Sequence, residues 1–354
     1  MNTPSSPYAL AQPREVDVAA IERALEDLWR AAHAEGEAAV LRAASMNLWY
    51  VTSDAADHAG VSDLVASLAV EHPSRAFLVR LGDEHAPPSQ NAWVTAYCRR
   101  PTPASPQLCS ELIELHVTGS DAPAVMSTLL SLRLPGLPTA LVWDHSLSLD
   151  HPLLPEMAAH AERVIVSVIP PCGAAPSLRR FLDLKNRLGT NASLTDVAES
   201  LYGAWQAAVA RLFDAQPEAA RAIRSIEVRC ADGEITAEML YVLAWIAAAL
   251  NWTARSFAWR AEGLEIHFAA GQRALLRSLP GLERSEIEIE FASGENMQRV
   301  NIAEPPAEIR LQELLLKQFR IWSRDPIREA TLERVTEYLE AMEMPTDPPG
   351  FGHA

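Results

Sequence analysis

The sequence predicts an N-terminal α/β domain built on a mostly parallel, helix-covered sheet. An α+β domain with an antiparallel sheet and terminal helices follows it. Three observations carry this. Short, continuous apolar runs such as Met46–Val51, Pro138–Trp143 and Arg163–Ile169 suit strands buried on both faces. Helical patterns alternate with those runs, as crossover connections require. In the C-terminal part the pattern changes to period two. Ile226 and Val228 alternate with Glu227 and Arg229, Leu264, Ile266 and Phe268 with Glu265 and His267, and Ile287, Ile289 and Phe291 with Glu286, Glu288 and Glu290. Such alternation marks strands with one wet face.

Taken in order, residues 1–15 are rich in Pro, Ser and Ala and are expected to lack order. Asp17 reads as the cap of an amphipathic helix carrying Val18, Ile21, Leu25, Leu28 and Trp29. After the strand at 46–51, Val61–Val70 reads as a helix with Ser62 near its cap. Runs at 75–81, 92–98 and 112–117 read as strands with no helix between them, which predicts an antiparallel portion. Asp121 and Pro123 start a helix bearing Val125, Met126, Leu129 and Leu132. Pro170, Pro171, Gly173 and Pro176 punctuate the chain and set the expected division into domains at 16–175 and 176–344. Helical patterns then occupy 177–187 and 194–214, and a helix at 236–250 is expected to cover the dry face of the second sheet. Two helices close the chain. One runs from Ala307 to Trp322. The other is capped by Asp325, opens with Pro326 and carries Ile327, Thr331, Val335, Tyr338 and Met342 on one stripe, before a frayed tail at 345–354.

The bulk properties narrow the function. A chain of 354 residues is long enough for two ordinary domains. A formal net charge of −16 repels phosphate backbones and anionic lipid, which argues against sequence-independent nucleic-acid binding and against a membrane surface as partner. Cys98, Cys109, Cys172 and Cys230 show no CxxC spacing and are too sparse for a disulfide framework or zinc site, which fits a reducing compartment. The N-terminus lacks the basic-then-apolar pattern of a secretory signal, so a cytoplasmic location is expected. The longest apolar run, Met239–Leu250, is too short to span a bilayer.

Chemistry-bearing motifs are scarce. GxGxxG, P-loop, GxSxG and HExxH patterns are all absent, and no cofactor or metal is expected. His145 and His151 lie six apart in a Pro-containing loop, poor spacing for a metal site. Glu286, Glu288 and Glu290 read as a solvated strand face. Cys109 begins a Cys-Ser-Glu triplet with Ser110 and Glu111. Its plainer reading is a buried structural thiol, and its sharper one a redox-responsive group or a nucleophile. In His72-Pro73-Ser74-Arg75, Pro73 holds His72 extended. The plainer reading is a turn in which Ser74 bonds the backbone; the sharper one uses Arg75 as a fork for a carboxylate or phosphate. Good strands and helices without a catalytic constellation describe a binding or regulatory protein. The competing reading is an enzyme or sensor that takes a sugar phosphate or nucleotide in the crevice at the strand C-termini.

Several segments together resemble the glucose-6-phosphate dehydrogenase assembly (OpcA) family. They are Leu41–Val51, His72–Val79, Gln107–Gly119, Leu134–Trp143, Arg163–Val166, Leu212–Asp214 and Tyr241–Trp252, in the family's order. The resemblance implies a non-enzymatic protein that binds glucose-6-phosphate dehydrogenase and promotes its active oligomer at the entry to the oxidative pentose phosphate pathway. It makes His72, Ser74, Arg75, Glu111, Asp196 and Trp205 the candidate partner or ligand contacts. There are departures. Ser167 and Val168 replace the usual Asp-Ser pair. Glu199, Ser200 and Gln206 stand where Trp, Arg and Arg are usual, which removes two guanidiniums from a potential anion site or ion pair.

Overall fold

The computed structural model of the chain describes residues 14–34, 40–100, 102, 105–119, 122–170, 173–189, 192–214, 217–231, 234–260, 263–304, 310–320, 322 and 325–343. The expectations for residues 1–13, Asp121, the helix start at Ala307 and the tail from 345 lie outside them.

Strand β1 (Arg14–Val16) comes first, then a 3-10 turn (Val18–Ala20) and helix α1 (Ile21–Ala34). Asp17 caps the turn, its carboxylate accepting from the Ala19 amide at 2.8 Å. Next come β2 (Val40–Arg42), β3 (Met46–Ser53), α2 (His58–Glu71), β4 (Ser74–Leu81), β5 (Ser89–Arg99) and β6 (Gln107–Thr118). Helix α3 (Ala122–Leu132) leads to β7 (Thr139–Trp143), α4 (Leu153–Ala158), β8 (Arg163–Val166), α5 (Pro176–Leu188) and β9 (Ser193–Asp196). Then follow α6 (Glu199–Asp214), α7 (Pro217–Arg221), β10 (Ile223–Cys230), α8 (Ala237–Ala249), β11 (Ala254–Arg260) and β12 (Gly263–Phe268). The last elements are β13 (Arg273–Ser278), β14 (Glu286–Ser293), β15 (Asn296–Ala303), α9 (Leu311–Gln318) and α10 (Pro326–Glu343).

Two compact units result. The first is Met1–Ser167 with Arg187–Val197 and Arg310–Trp322; the second is Val168–Asn186 with Ala198–Ile309 and Ser323–Ala354. The break thus falls ahead of the proline cluster, and two later segments return to the first unit. One of them carries β9, which pairs in parallel with β8 from Arg163↔Ser193 to Val166↔Asp196. Residues 194–196, read from the sequence as helix, are therefore strand: an open sheet edge captures them, and pairing outweighs the local pattern. Residues 14 and 15, read as part of a disordered arm, pair antiparallel with β5.

The first unit's sheet runs β1-β5-β6-β4-β3-β7-β8-β9, with β2 beside β6. The six strands from β6 to β9 are mutually parallel, whereas β5 runs antiparallel to β6, as the helix-free connection requires. Counted from β3, the parallel strands have the 3-2-1-4-5-6 order of a doubly wound fold. β3 and β4 are buried along their length except at the last residue, which is why β4 is apolar from Ala76 to Val79 and β3 reads as an apolar run from Met46 to Val51. Asn47 interrupts that run without penalty. Its amide accepts from Leu134 N at 2.8 Å and donates to Leu134 O and Leu137 O, so a buried polar group is fully used in tying down the connection before β7. Helix α2 starts five residues earlier in the chain than Ser62 would place its cap. Asp57 caps it instead, accepting from Gly60 N at 3.2 Å.

The second unit's sheet runs β11-β12-β13-β10-β14-β15. All its pairs are antiparallel except β10–β13, which is parallel. Gly263, at φ +145°, lets β11 turn into β12 where any Cβ would strike Leu276 O. Ile226, Val228, Leu264, Ile266, Ile287 and Ile289 fill the dry face. α8 is apolar apart from Glu238 because most of it is buried, packed on this sheet and on α6 and α10. On the wet face, Arg229 bridges Glu227, Glu286 and Glu288 at 2.7–3.0 Å. With Glu290 on Arg299 at 3.1 Å, the three alternating glutamates of β14 form a cross-strand ion-pair ladder on the half-open face.

Candidate functional site

Two short sequence motifs meet on neighbouring strands of the first unit. The parallel register sets Arg75 of β4 beside Glu111 of β6. Ser110 Oγ accepts from Ser74 N at 3.1 Å and donates to Ala69 O at 2.7 Å, stitching both strands to α2. Arg75 Nε donates to Glu111 Oε2 at 2.7 Å, and Nη1 reaches Glu22 of α1 and the Leu132 carbonyl. Glu111 also accepts from Trp29 Nε1 at 2.7 Å and pairs with Arg42 Nε at 2.8 Å. Arg75 and Glu111 are each only 2 % exposed. Burial by itself would lower the guanidinium pKa; Glu111 and Glu22 outweigh it and hold the group above its ordinary value. The fork at Arg75 therefore closes on a carboxylate of its own chain. Its chemistry is that of a buried, charge-assisted clasp joining α1, β2, β4 and β6.

The remaining candidates are distributed. His72 ends α2 and meets Phe319 edge-on, with ring centroids 5.6 Å apart. Burial lowers its pKa, and Arg320 adds to the effect against the opposing pull of Glu71. Asp196 ends β9, fully buried, with its carbonyl accepting from Gln318 Nε2 at 3.2 Å. Trp205 lies in the core of the second unit at 1 % exposure. The clasp thus gathers Ser74, Arg75 and Glu111, and leaves Asp196 and Trp205 on other elements.

Cys109 is not a free thiol. The β5–β6 register sets Cys98 directly opposite it, and the two form a disulfide with Cα atoms 4.0 Å apart. Sequence spacing could not show this, because the pair is made by hairpin register. Cys230 is free and buried, its thiol pushed up to about 11 by burial.

At the departure from the family pattern, Glu199 receives Arg328 of α10 as a fork, Nε at 2.6 Å and Nη2 at 2.7 Å. Tyr241 donates to the same carboxylate at 3.3 Å. Burial lifts the Tyr241 hydroxyl well above its ordinary range, and Glu199 adds to this. The partners are 129 residues apart, so no local signal could have linked them.

A second polar cluster, also missed from sequence, sits at the C-terminal ends of the parallel strands. Tyr50 donates to Asp144 Oδ2 at 3.0 Å, Ser146 N donates to Oδ1 at 2.9 Å, and Ser53 N donates to Ser146 Oγ at 3.1 Å. Burial alone would raise the Asp144 pKa, but the Ser146 hydrogen bonds, His145 and Tyr50 hold it below its ordinary value. One strand over, Asp54 lies 3.5 Å from Arg80 Nε and 3.3 Å from His116 Nε2. His145 and His151 take different carboxylates, Asp144 and Glu84. Among the described residues no group of three or more His, Cys, Asp or Glu could hold a metal ion, and no helix is long and apolar enough to cross a membrane.

Fold and site define a two-unit α/β protein whose sheet has dinucleotide-fold order and whose motif residues brace its frame. Two family descriptions match it, both for a "glucose-6-phosphate dehydrogenase subunit": the N-terminal domain over residues 65–172 and the C-terminal domain over 192–332. Together they take in well over half of the chain, and the chain belongs to this OpcA family as a divergent member. It is 26% identical over 268 residues to a Synechocystis sp. protein named for the OxPP cycle, OpcA. The match covers 74% of this chain and 54% of the relative, so the chain spans about half of that protein's length. Among solved structures, glucose-6-phosphate 1-dehydrogenase from Mycobacterium avium is similar with a TM-score of 0.47 at 12% identity, over 84% of this chain and 92% of that one. Apo scyllo-inositol dehydrogenase from Lactobacillus casei gives 0.40 at 10% identity, over 86% and 96%.

Proposed function

We propose that this chain is a non-catalytic accessory protein of the cytoplasm that binds glucose-6-phosphate dehydrogenase and favours its active oligomer. The family match over both units carries the reading. The internal pairing of the motif residues supports it: Arg75 and Glu111 are occupied with each other and with α1 and β2 rather than exposed to a substrate. On this reading Ser74, Arg75, Glu111, Asp196 and Trp205 serve the partner indirectly, by holding the surface that it meets. The half-buried His72 remains a direct contact candidate. Activation then follows if that surface has higher affinity for the active state of the enzyme than for the inactive one.

The test is the activity of glucose-6-phosphate dehydrogenase from the same organism, titrated with the purified chain and followed in parallel by light scattering. A saturable rise in kcat/KM together with a heavier complex is expected. An unchanged rate and an unchanged mass across the titration would refute the proposal.

A further inference from the structure

A sheet of 3-2-1-4-5-6 order has one place where a dinucleotide is ordinarily bound: the crevice outside the strand ends at the switch point, with the pyrophosphate on the first helix N-terminus. Here the switch point lies between β3 and β7, and the first helix is α2. Whether the group fits can be judged from the residues that stand there.

A pyrophosphate needs free backbone N–H groups, glycines that let it approach them, and positive charge. The turn from β3 to α2 reads Ser53-Asp54-Ala55-Ala56-Asp57, without glycine. Four of its five amides are already in use. Ser53 N donates to Ser146 Oγ at 3.1 Å, Asp54 N to Leu81 O at 2.9 Å, Ala55 N to Ser53 Oγ at 3.2 Å and Ala56 N to Ser53 O at 3.1 Å. On α2 itself, Gly60 N donates to the Asp57 carboxylate. A Cβ at Gly60 would fall 2.5 Å from that oxygen, so the glycine here admits the chain's own anion. The Asp57 carboxylate thus satisfies one open N–H group of the helix N-terminus and faces its partial positive charge.

The cation beside this turn is partly committed: its Nη2 is bonded, while its Nε and Nη1 make no hydrogen bond among the described residues. Arg80, at the end of β4, is 3 % exposed and turned into the protein. Its Nη2 donates to Asp54 O and Ala56 O at 3.2 Å each, which holds the turn, and its Nε faces the Asp54 carboxylate. His116 lies on the other oxygen of Asp54. The mouth of the crevice is bridged by Ser146 and Asp144, which join the ends of β3 and β7.

We infer that the dinucleotide crevice of this fold is closed in this chain by its own carboxylates. Asp57 takes the Gly60 amide at the start of α2, and Asp54 sets a counter-charge 3.5 Å from Arg80 Nε. The residues present do not fit a nicotinamide dinucleotide. The doubly wound sheet serves here as a scaffold, independently of which partner the protein binds.

The experiment has two arms on the full chain. Wild-type protein is titrated with NADPH, NADP+ and NADH by calorimetry and by quenching of tryptophan fluorescence. No saturable binding tighter than about 1 mM is expected, and stoichiometric binding in the micromolar range would overturn the inference. The double variant Asp54→Gly, Asp57→Ser removes both carboxylates and keeps a neutral cap on α2. With its fold confirmed by circular dichroism and a cooperative melt, it is titrated with inorganic pyrophosphate. Binding at least about tenfold tighter than to wild type is expected, because two negative charges that repel the anion are removed from the helix terminus. A folded double variant that binds pyrophosphate no better than wild type would show that these carboxylates are not what closes the site.

Discussion

Arg75 and Glu111 stand side by side on adjacent parallel strands, joined at 2.7 Å in a place where neither is more than 2 % exposed. Removing one partner strands the other as a buried charge. Glu111→Ala is therefore expected to cost roughly 3–5 kcal/mol in urea unfolding. Arg42→Ala deletes a partner of the same carboxylate that is 45% exposed, and is expected to cost no more than about 1 kcal/mol. Equal losses in the two variants would show that Arg75–Glu111 is not the dominant pair of the clasp.

Under the proposed function, the same clasp tests whether the motif residues meet the partner. If Arg75 acts only by holding the frame, Arg75→Met, paired with Glu111→Leu to avoid an orphaned charge, keeps activation of glucose-6-phosphate dehydrogenase wherever it keeps the fold. Loss of activation by a double variant with wild-type melting behaviour would place these residues in the contact itself.

Glu199 and Arg328 form the corresponding pair in the second unit, with side chains 8% and 13% exposed. Arg328→Lys keeps the charge but loses the two-pronged geometry, so it is expected to destabilise nearly as much as Arg328→Ala. In a double-mutant cycle with Glu199→Ala, the combined loss should fall well short of the sum of the single losses. Additive losses would mean that the pair is not coupled.

A pH dependence follows from Glu238. Burial and the neighbouring Glu304 carboxylate push its pKa up to about 7. An unfolded glutamate titrates near 4.3, so between about pH 4.5 and 7 the folded chain keeps a proton that the unfolded chain has released. Stability is thus lost as the pH rises through that window. Glu238→Gln removes the titration, so its melting temperature should draw ahead of wild type between about pH 5 and pH 8. Parallel profiles for the two proteins would sink this assignment.

The Cys98–Cys109 disulfide closes a sequence separation of 11 residues. Digestion without reductant should recover the two cysteines on joined peptides, and reduction should lower stability by roughly 2–4 kcal/mol. If Cys109 is a redox-responsive point, as its place in the motif suggests, the reduced and oxidised chains should also differ in how strongly they activate the dehydrogenase. Identical activation curves would confine the disulfide to a structural role.

Much of this molecule was legible in one dimension. The continuous apolar runs of β3, β7 and β8 announced strands buried on both faces. The strict alternation of β10, β12 and β14 announced a sheet with one wet face. These are local consequences of burial, since each residue's polarity reports its own surroundings. The edge strands β1, β9, β11 and β15 carry weaker patterns, because an edge is half-wet and its pairing is decided by whichever neighbour is open.

The site divides along the same line. The sequence by itself determined the fold class and the family, and it singled out the segments around Arg75 and Glu111 as candidates. Only the tertiary structure decided that these two residues face each other, that Cys98 meets Cys109, that Arg328 returns to Glu199, and that Asp54 and Asp57 close the crevice. Residue type sets what a side chain can bond to. Strand register and the crossing of distant elements set which partner lies within reach, and in a low-dielectric interior that choice of partner separates an open site from a closed brace.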